Sequence, residues 1–363
     1  MWFKKKEKTK LQLLNESVAD LVKKSNDLIY DLGKQDSILY QALMEIQEKF
    51  DMIRNIPNEE QLKYQEVKKV SHSWKQQVDY IYNDFESAKK AEIGSGAAGG
   101  AFGAGVATLG PTAAMGVATT FGVASTGTAI SSLSGAAATN AALAWLGGGT
   151  LAAGGGGMAA GQLLLTLAGP VGWAIAGTTI IASVALYLWT KSEKDRLEEI
   201  FLLIGKRDEC SYKLAIVELN ERIKRVIDET KKLYKAIGLI ESFGTDYNSM
   251  TEEQQYTLGA YVNLMFSSTQ LLVNPIQGLQ PKFTLERLIA ANEQYAGYCK
   301  KEKELIVYMA NLLYGIDTTE SDRKLLSKSF RNNKDFMKKM KLEKKHLNVE
   351  LFNVVDKVLK NCK

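Results

Sequence analysis

The chain has 363 residues, with 46 Lys and Arg against 41 Asp and Glu, a formal net charge of +5. That length leaves room for about two or three domains. Three widely spaced cysteines, Cys210, Cys299 and Cys362, exclude a disulfide framework and a paired metal-ligand spacing, and fit a reducing compartment.

The charge is unevenly placed. From Ile93 to Thr190, 98 residues contain no Asp, Glu, Lys or Arg and hold 22 of the 30 glycines. Residues 1–92 carry 16 basic and 16 acidic side chains, and residues 191–363 carry 30 and 25. Three regions follow: an N-terminal helical hairpin (1–92), an uncharged Gly/Ala-rich membrane-inserting block (93–190) and a C-terminal helical domain (191–363). The expected class is all-α, with long amphipathic arms flanking a membrane hairpin.

The opening Met-Trp-Phe-Lys-Lys-Lys has no apolar run of the signal-peptide kind, so standard export of the N-terminus is not expected. Leu11, Leu14, Val18, Leu21, Leu28, Leu32, Leu39, Leu43, Ile46 and Phe50 recur at helical spacing. Asn55-Ile56-Pro57 breaks the pattern, and Asn58 reads as the N-cap of a second helix with Glu59 and Glu60 in its first turn. Leu62, Val67, Val70, Trp74, Val78, Ile81 and Phe85 continue it. The two helices should pack antiparallel, as a scaffold or as a partner-binding stalk.

Within the block, Val171 to Trp189 is a 19-residue uncharged run, long enough to span a bilayer core of about 30 Å. Trp173 stands near one end, with Tyr187 and Trp189 at the other, as interfacial aromatic belts do. Trp145 to Leu167 is its antiparallel partner, turning at Gly169-Pro170. Gly157-x-x-x-Gly161, Gly96-x-x-x-Gly100 and Gly99-x-x-x-Gly103 have the spacing of closely packed membrane helices. Residues 94–109 and 112–134 form a weaker first hairpin, which inserts with company, lines a polar lumen or stays out of the bilayer. Lys89 and Lys90 precede the block; Lys191, Lys194 and Arg196 follow it. Basic flanks on both sides place both termini in the cytoplasm and make the number of crossings even, two or four. The alternative is a soluble core wrapped by the amphipathic arms, a resting form before insertion.

Leu197, Ile200, Phe201 and Ile204 begin a helix that leaves room for the last membrane segment to run unbroken into the arm. Gly244 to Ser249 ends it, and Met250-Thr251-Glu252-Glu253 is a capped restart. Asn274-Pro275, Gln280-Pro281 and Gly315 to Thr319 divide the rest into further helices. Arg331, Lys338, Lys339, Lys341, Lys344 and Lys345 form a basic cluster, read as a solvated face or as a site for an anionic ligand such as a nucleotide or oligonucleotide.

Gly94, Gly96 and Gly99 match a dinucleotide-binding spacing, but no strand precedes them and no acidic residue lies twenty positions on. His72 and His346 stand apart from Cys and from each other, which argues against zinc or a catalytic triad. No enzyme, cofactor or metal is expected.

Amphipathic helices around an uncharged Gly/Ala hairpin resemble the colicin pore-forming domains and the apolipoprotein L group. The stretch from Ala141 to Gly177 is also similar to glycine-rich bacterial segments, some in membrane effectors of phage defence. The resemblance is architectural and implies an oligomeric pore or ion channel, gated through its arms, in the cytoplasmic membrane. Its partners would be the bilayer and further copies of the chain. A membrane-anchored remodelling adaptor and a soluble all-α binding module are the alternatives.

Overall fold

The computed structural model describes residues 9–94, 111–121, 190–280, 300–332 and 342–361, with 282, 283, 288, 298 and 337 singly. Among these the regular elements are all helical, and the β contact is a bridge between Arg54 and Asp246.

The first helix, α1 (Lys10–Asp51), opens on a capping box: Thr9 Oγ1 accepts from the Gln12 amide, and Gln12 Oε1 accepts from the Thr9 amide. Its buried positions Leu11, Val18, Val22, Ser25, Ile29, Leu32, Asp36, Leu39, Leu43, Ile46 and Phe50 advance by three, four or seven residues. That spacing makes one continuous stripe along the helix. Each large aliphatic side chain removed from water contributes about 1.5–3 kcal/mol.

The stripe faces a 50-residue helix, α4 (Lys191–Ile240). Ser17 Oγ donates to Glu209 Oε1 at 3.0 Å near the start, and Lys49 Nζ pairs with Glu241 at 2.6 Å near the end. The equal offset of the two pairs makes α1 and α4 parallel neighbours. Helix α2 (Asn58–Gly94) runs antiparallel to α1: Lys68 pairs with Asp51 at 2.8 Å, Gln47 Nε2 donates to Ser71 Oγ at 3.4 Å, and Tyr40 stacks on Trp74 at 5.3 Å. The turn between them needs Asn55 in the left-handed region (φ 64°), a conformation asparagine tolerates. The expected N-cap at Asn58 is one residue late, because Asn58 is already helical and Gln61 N donates to Pro57 O at 3.0 Å.

Beyond α4, Thr251 caps α5 (Glu252–Val273) through a reciprocal pair with Gln254. Asn274-Pro275 closes that helix, as the sequence requires. Among the described residues, helices α6 (Lys300–Leu313), α7 (Glu320–Asn332) and α8 (Val349–Asn361) follow. Two apolar clusters result. One joins α1, α2, α5, the later part of α4 and a short helix from the uncharged block; the other joins the start of α4 to α6, α7 and α8. Helix α4 runs through both.

One junction differs from expectation. Thr190 is extended (φ −68°, ψ 158°) and its hydroxyl accepts from Glu193 N at 3.2 Å, with Glu193 answering through Thr190 N at 2.8 Å. Helix α4 therefore starts afresh at this capping box and does not continue a helix from before Thr190.

Candidate functional site: a dock for the uncharged block

Apart from its two ends at 93–94 and 190, the uncharged block is described in helix α3 (Pro111–Phe121). Proline at its first position costs no hydrogen bond, since that amide has no helical partner. Ala113, Ala114, Val117, Ala118, Thr119 and Thr120 are buried, and the helix packs on α1, α2 and α5.

Backbone proximity makes the contact with α1. A Cβ at Gly33 would lie 1.9 Å from Thr112 O, and one at Gly116 would lie 2.0 Å from Ile29 O. Only glycine on both helices lets them cross this closely. Three directed bonds hold the far end of α3. Trp74 Nε1 on α2 donates to Thr119 Oγ1 at 3.2 Å. The Thr120 carbonyl accepts from Ile276 N at 2.9 Å and from Gln280 Nε2 at 3.0 Å. Carbonyls at the end of a helix have no partner within it, so these donors are an external C-terminal cap.

Beside this seam sits Asp36, fully buried on α1. Burial pushes its carboxyl well above the usual carboxylate range. The Thr119 hydroxyl, as a weak hydrogen-bond donor, and the Arg222 guanidinium on α4 act in the opposite direction, but neither oxygen has a partner of good hydrogen-bond geometry among the described residues. Arg222 Nη1 donates instead to Asn274 O at 2.7 Å and to Leu271 O, capping the end of α5.

A second buried carboxyl, Asp208, lies on α4 and receives Arg207 Nε at 2.9 Å and Nη2 at 2.8 Å on one oxygen. Desolvation outweighs that partner and places it at about 7.

Helix α2 runs back alongside α1, with Trp74 beside Tyr40, and α4 starts near the start of α1, with Glu209 beside Ser17.

The basic cluster is only partly placed. Arg331 lies in the last turn of α7, and Lys344 and Lys345 lie exposed on the 3-10 turn Lys344–Leu347. Ser327 Oγ donates to Leu347 O at 2.7 Å, which sets that turn against α7. Lys345 pairs with Glu343 at 2.8 Å. Lys338, Lys339 and Lys341 lie outside the described residues, as do Gly96, Gly100, Gly103, Trp145, Gly157, Gly161, Gly169, Pro170, Trp173 and Trp189. Among the described residues no helix is long and apolar enough to cross a membrane, and no three His, Cys, Asp or Glu side chains cluster to hold a metal ion.

The dock was not legible as such in the sequence. Gly33 is a single glycine in a charged arm, although it lies on the buried face beside Ile29 and Leu32. Asp36 falls within the apolar stripe between Leu32 and Leu39, and that misplaced charge was the available signal.

No protein-family model, curated protein or solved structure matches the chain.

Proposed function

We propose that the protein is an oligomeric pore-forming or ion-channel membrane effector whose helical arms hold the uncharged block at rest. The observation that supports this most directly is α3: an uncharged helix from the block, docked on both arms. Its buried residues are all small, alanine, valine, threonine and glycine, and each buried methyl or methylene contributes only about 0.8 kcal/mol. The dock thus relies on a close crossing and a few directed bonds, an arrangement suited to release. The Val171–Trp189 and Trp145–Leu167 segments would insert, and the glycine spacings at Gly157 and Gly161 would let hairpins from several chains associate. One or two hairpins per chain cannot enclose an aqueous path, so the pore requires several copies.

A second reading also draws on the burial of α3. If the rest of the block is held in the same way permanently, the protein is an all-α binding module and never inserts. Carbonate extraction of membranes and dye release from liposomes separate the readings. The effector resists extraction and releases dye; a membrane anchor resists extraction without leakage. Protein that washes off and leaves liposomes sealed refutes both membrane readings.

A further inference from the structure

We propose that Asp36 is a built-in spring in the α1–α3 dock: a carboxyl sealed in the seam against the Thr119 hydroxyl, poorly hydrogen-bonded there, whose rehydration favours release of α3. The inference deepens the proposed resting state and rests on that reading for its functional meaning.

Position 36 belongs to the stripe that α1 buries, between Leu32 and Leu39, where a leucine would serve cohesion better. The side chain is 0% exposed and neither oxygen has a partner of good hydrogen-bond geometry among the described residues. A buried polar group so poorly bonded recovers little of its desolvation cost. The groups that face it are few. From α3 comes the Thr119 hydroxyl, which accepts from Trp74 of α2 and keeps its own proton to direct weakly at Asp36. From α4 comes Arg222, flanked by Arg225 and Glu218 and committed to the carbonyls that end α5. The same Asn274–Gln280 segment caps α3 through Ile276 and Gln280. Loosening that segment therefore removes the α3 cap and frees the guanidinium for Asp36 together. One movement relaxes three contacts.

The sign of the pH effect follows. A carboxyl raised in the docked state binds a proton more readily there than in the open state. Docking is strengthened as pH falls through the raised value and weakened as pH rises. Each unit of upward displacement weights the two states by about tenfold.

The experiment is hydrogen exchange of the α3 amides (111–121) in the full chain, without membranes, at pH 5.5 and 8 after correction for intrinsic rates. We expect the parent to be less protected at the higher pH. Asp36→Asn and Asp36→Leu should be protected about tenfold or more beyond the parent at pH 8, with a weaker pH dependence. Asp36→Leu guards against an unsatisfied amide in Asp36→Asn, and the parent's own trend remains decisive if either variant fails to fold. Parent protection that rises with pH, or folded variants no better protected than the parent, overturns the proposal. Slower exchange in the variants alongside a parent that never releases liposome dye upholds the spring and refutes the pore.

Discussion

Replacing Gly116 with alanine tests the dock at its tightest point. The added Cβ would stand 2.0 Å from Ile29 O and 3.1 Å from Gly33 N. Ordinary contact begins at 3.4 Å, so the helices must part by about 3.4 − 2.0 = 1.4 Å. The obstacle is helical backbone, which cannot rotate aside as a side chain can. Overpacking by one methyl costs about 1–3 kcal/mol, and this geometry belongs at or above the upper end. Alanine returns about 1 kcal/mol of helix propensity, leaving a net loss of about 2 kcal/mol. The population with α3 released should rise roughly 30-fold. Hydrogen exchange over residues 111–121 reads that ratio, and a denaturant melt reads overall stability. Gly238→Ala is the control, because no atom lies within 4 Å of the new Cβ; it should gain up to about 1 kcal/mol. If Gly116→Ala leaves α3 exchange unchanged while Gly238→Ala behaves as expected, the close crossing does not exist in solution. Gly33→Ala forces the same parting of the same helices, so the double variant should fall short of the sum of the singles.

Two further outcomes concern the buried charges. Asp208 is raised to about 7, so it favours the folded state most below about pH 4, and that contribution declines as pH rises to about 7. Asp208→Asn should flatten this part of a stability–pH profile; an unchanged slope would show that the carboxyl is hydrated. Asp322 behaves oppositely: Arg196 grips it through Nε at 2.8 Å and Nη2 at 2.8 Å and holds it well below the usual carboxylate range. That stability is present above about pH 4 and is lost as pH falls further. Arg196→Gln should cost about 1–3 kcal/mol at neutral pH, with the deficit shrinking in strong acid; a constant deficit would point to lost packing instead.

Local chemistry was the legible layer. Thr251 and Gln254 sit three apart before an apolar run, and Asn274-Pro275 cannot continue a helix, so both boundaries of α5 could be read. The α1 stripe was readable for the same reason, because its spacing is a property of one helix. The partner of that stripe was not, since nothing in α1 encodes a parallel neighbour 192 residues away, the offset of Ser17 to Glu209. Thr190 and Glu193 carried a capping signal, but the apolar run ending at Trp189 invites a continuous helix across it. The block itself shows a deeper ambiguity. Ala113, Ala114, Val117 and Ala118 have no charge to hide, and apolar surroundings satisfy them equally as protein or as lipid. Composition therefore marks what must avoid water without saying what replaces it.

Helix α4 ties these features into one device. It starts at the point where the block returns, carries Arg196 and Asp208 along its first half, and then lies beside α1 to the far end. Its Arg222 bridges the end of α5 and the Asp36 seam, while α5 continues into the segment that caps α3. Perturbing the second cluster, for example by a ligand at Arg331 and Lys344, has two routes to α3: along α4, which has a long buried face in both clusters, and through Asn311 of α6, whose Oδ1 accepts from Lys282 N at 2.9 Å and Phe283 N at 3.0 Å just past the segment that caps α3. A stiff helix of 50 residues, about 75 Å long, transmits displacement along its axis with little loss. The share of the coupling that travels by the first route should depend on the integrity of α4 between Asp208 and Arg222. A glycine pair at the exposed positions Leu214 and Val217 would soften that stretch without touching either cluster's core. If ligand-induced or variant-induced changes in α6–α8 still alter α3 exchange in that protein, the signal travels by another route.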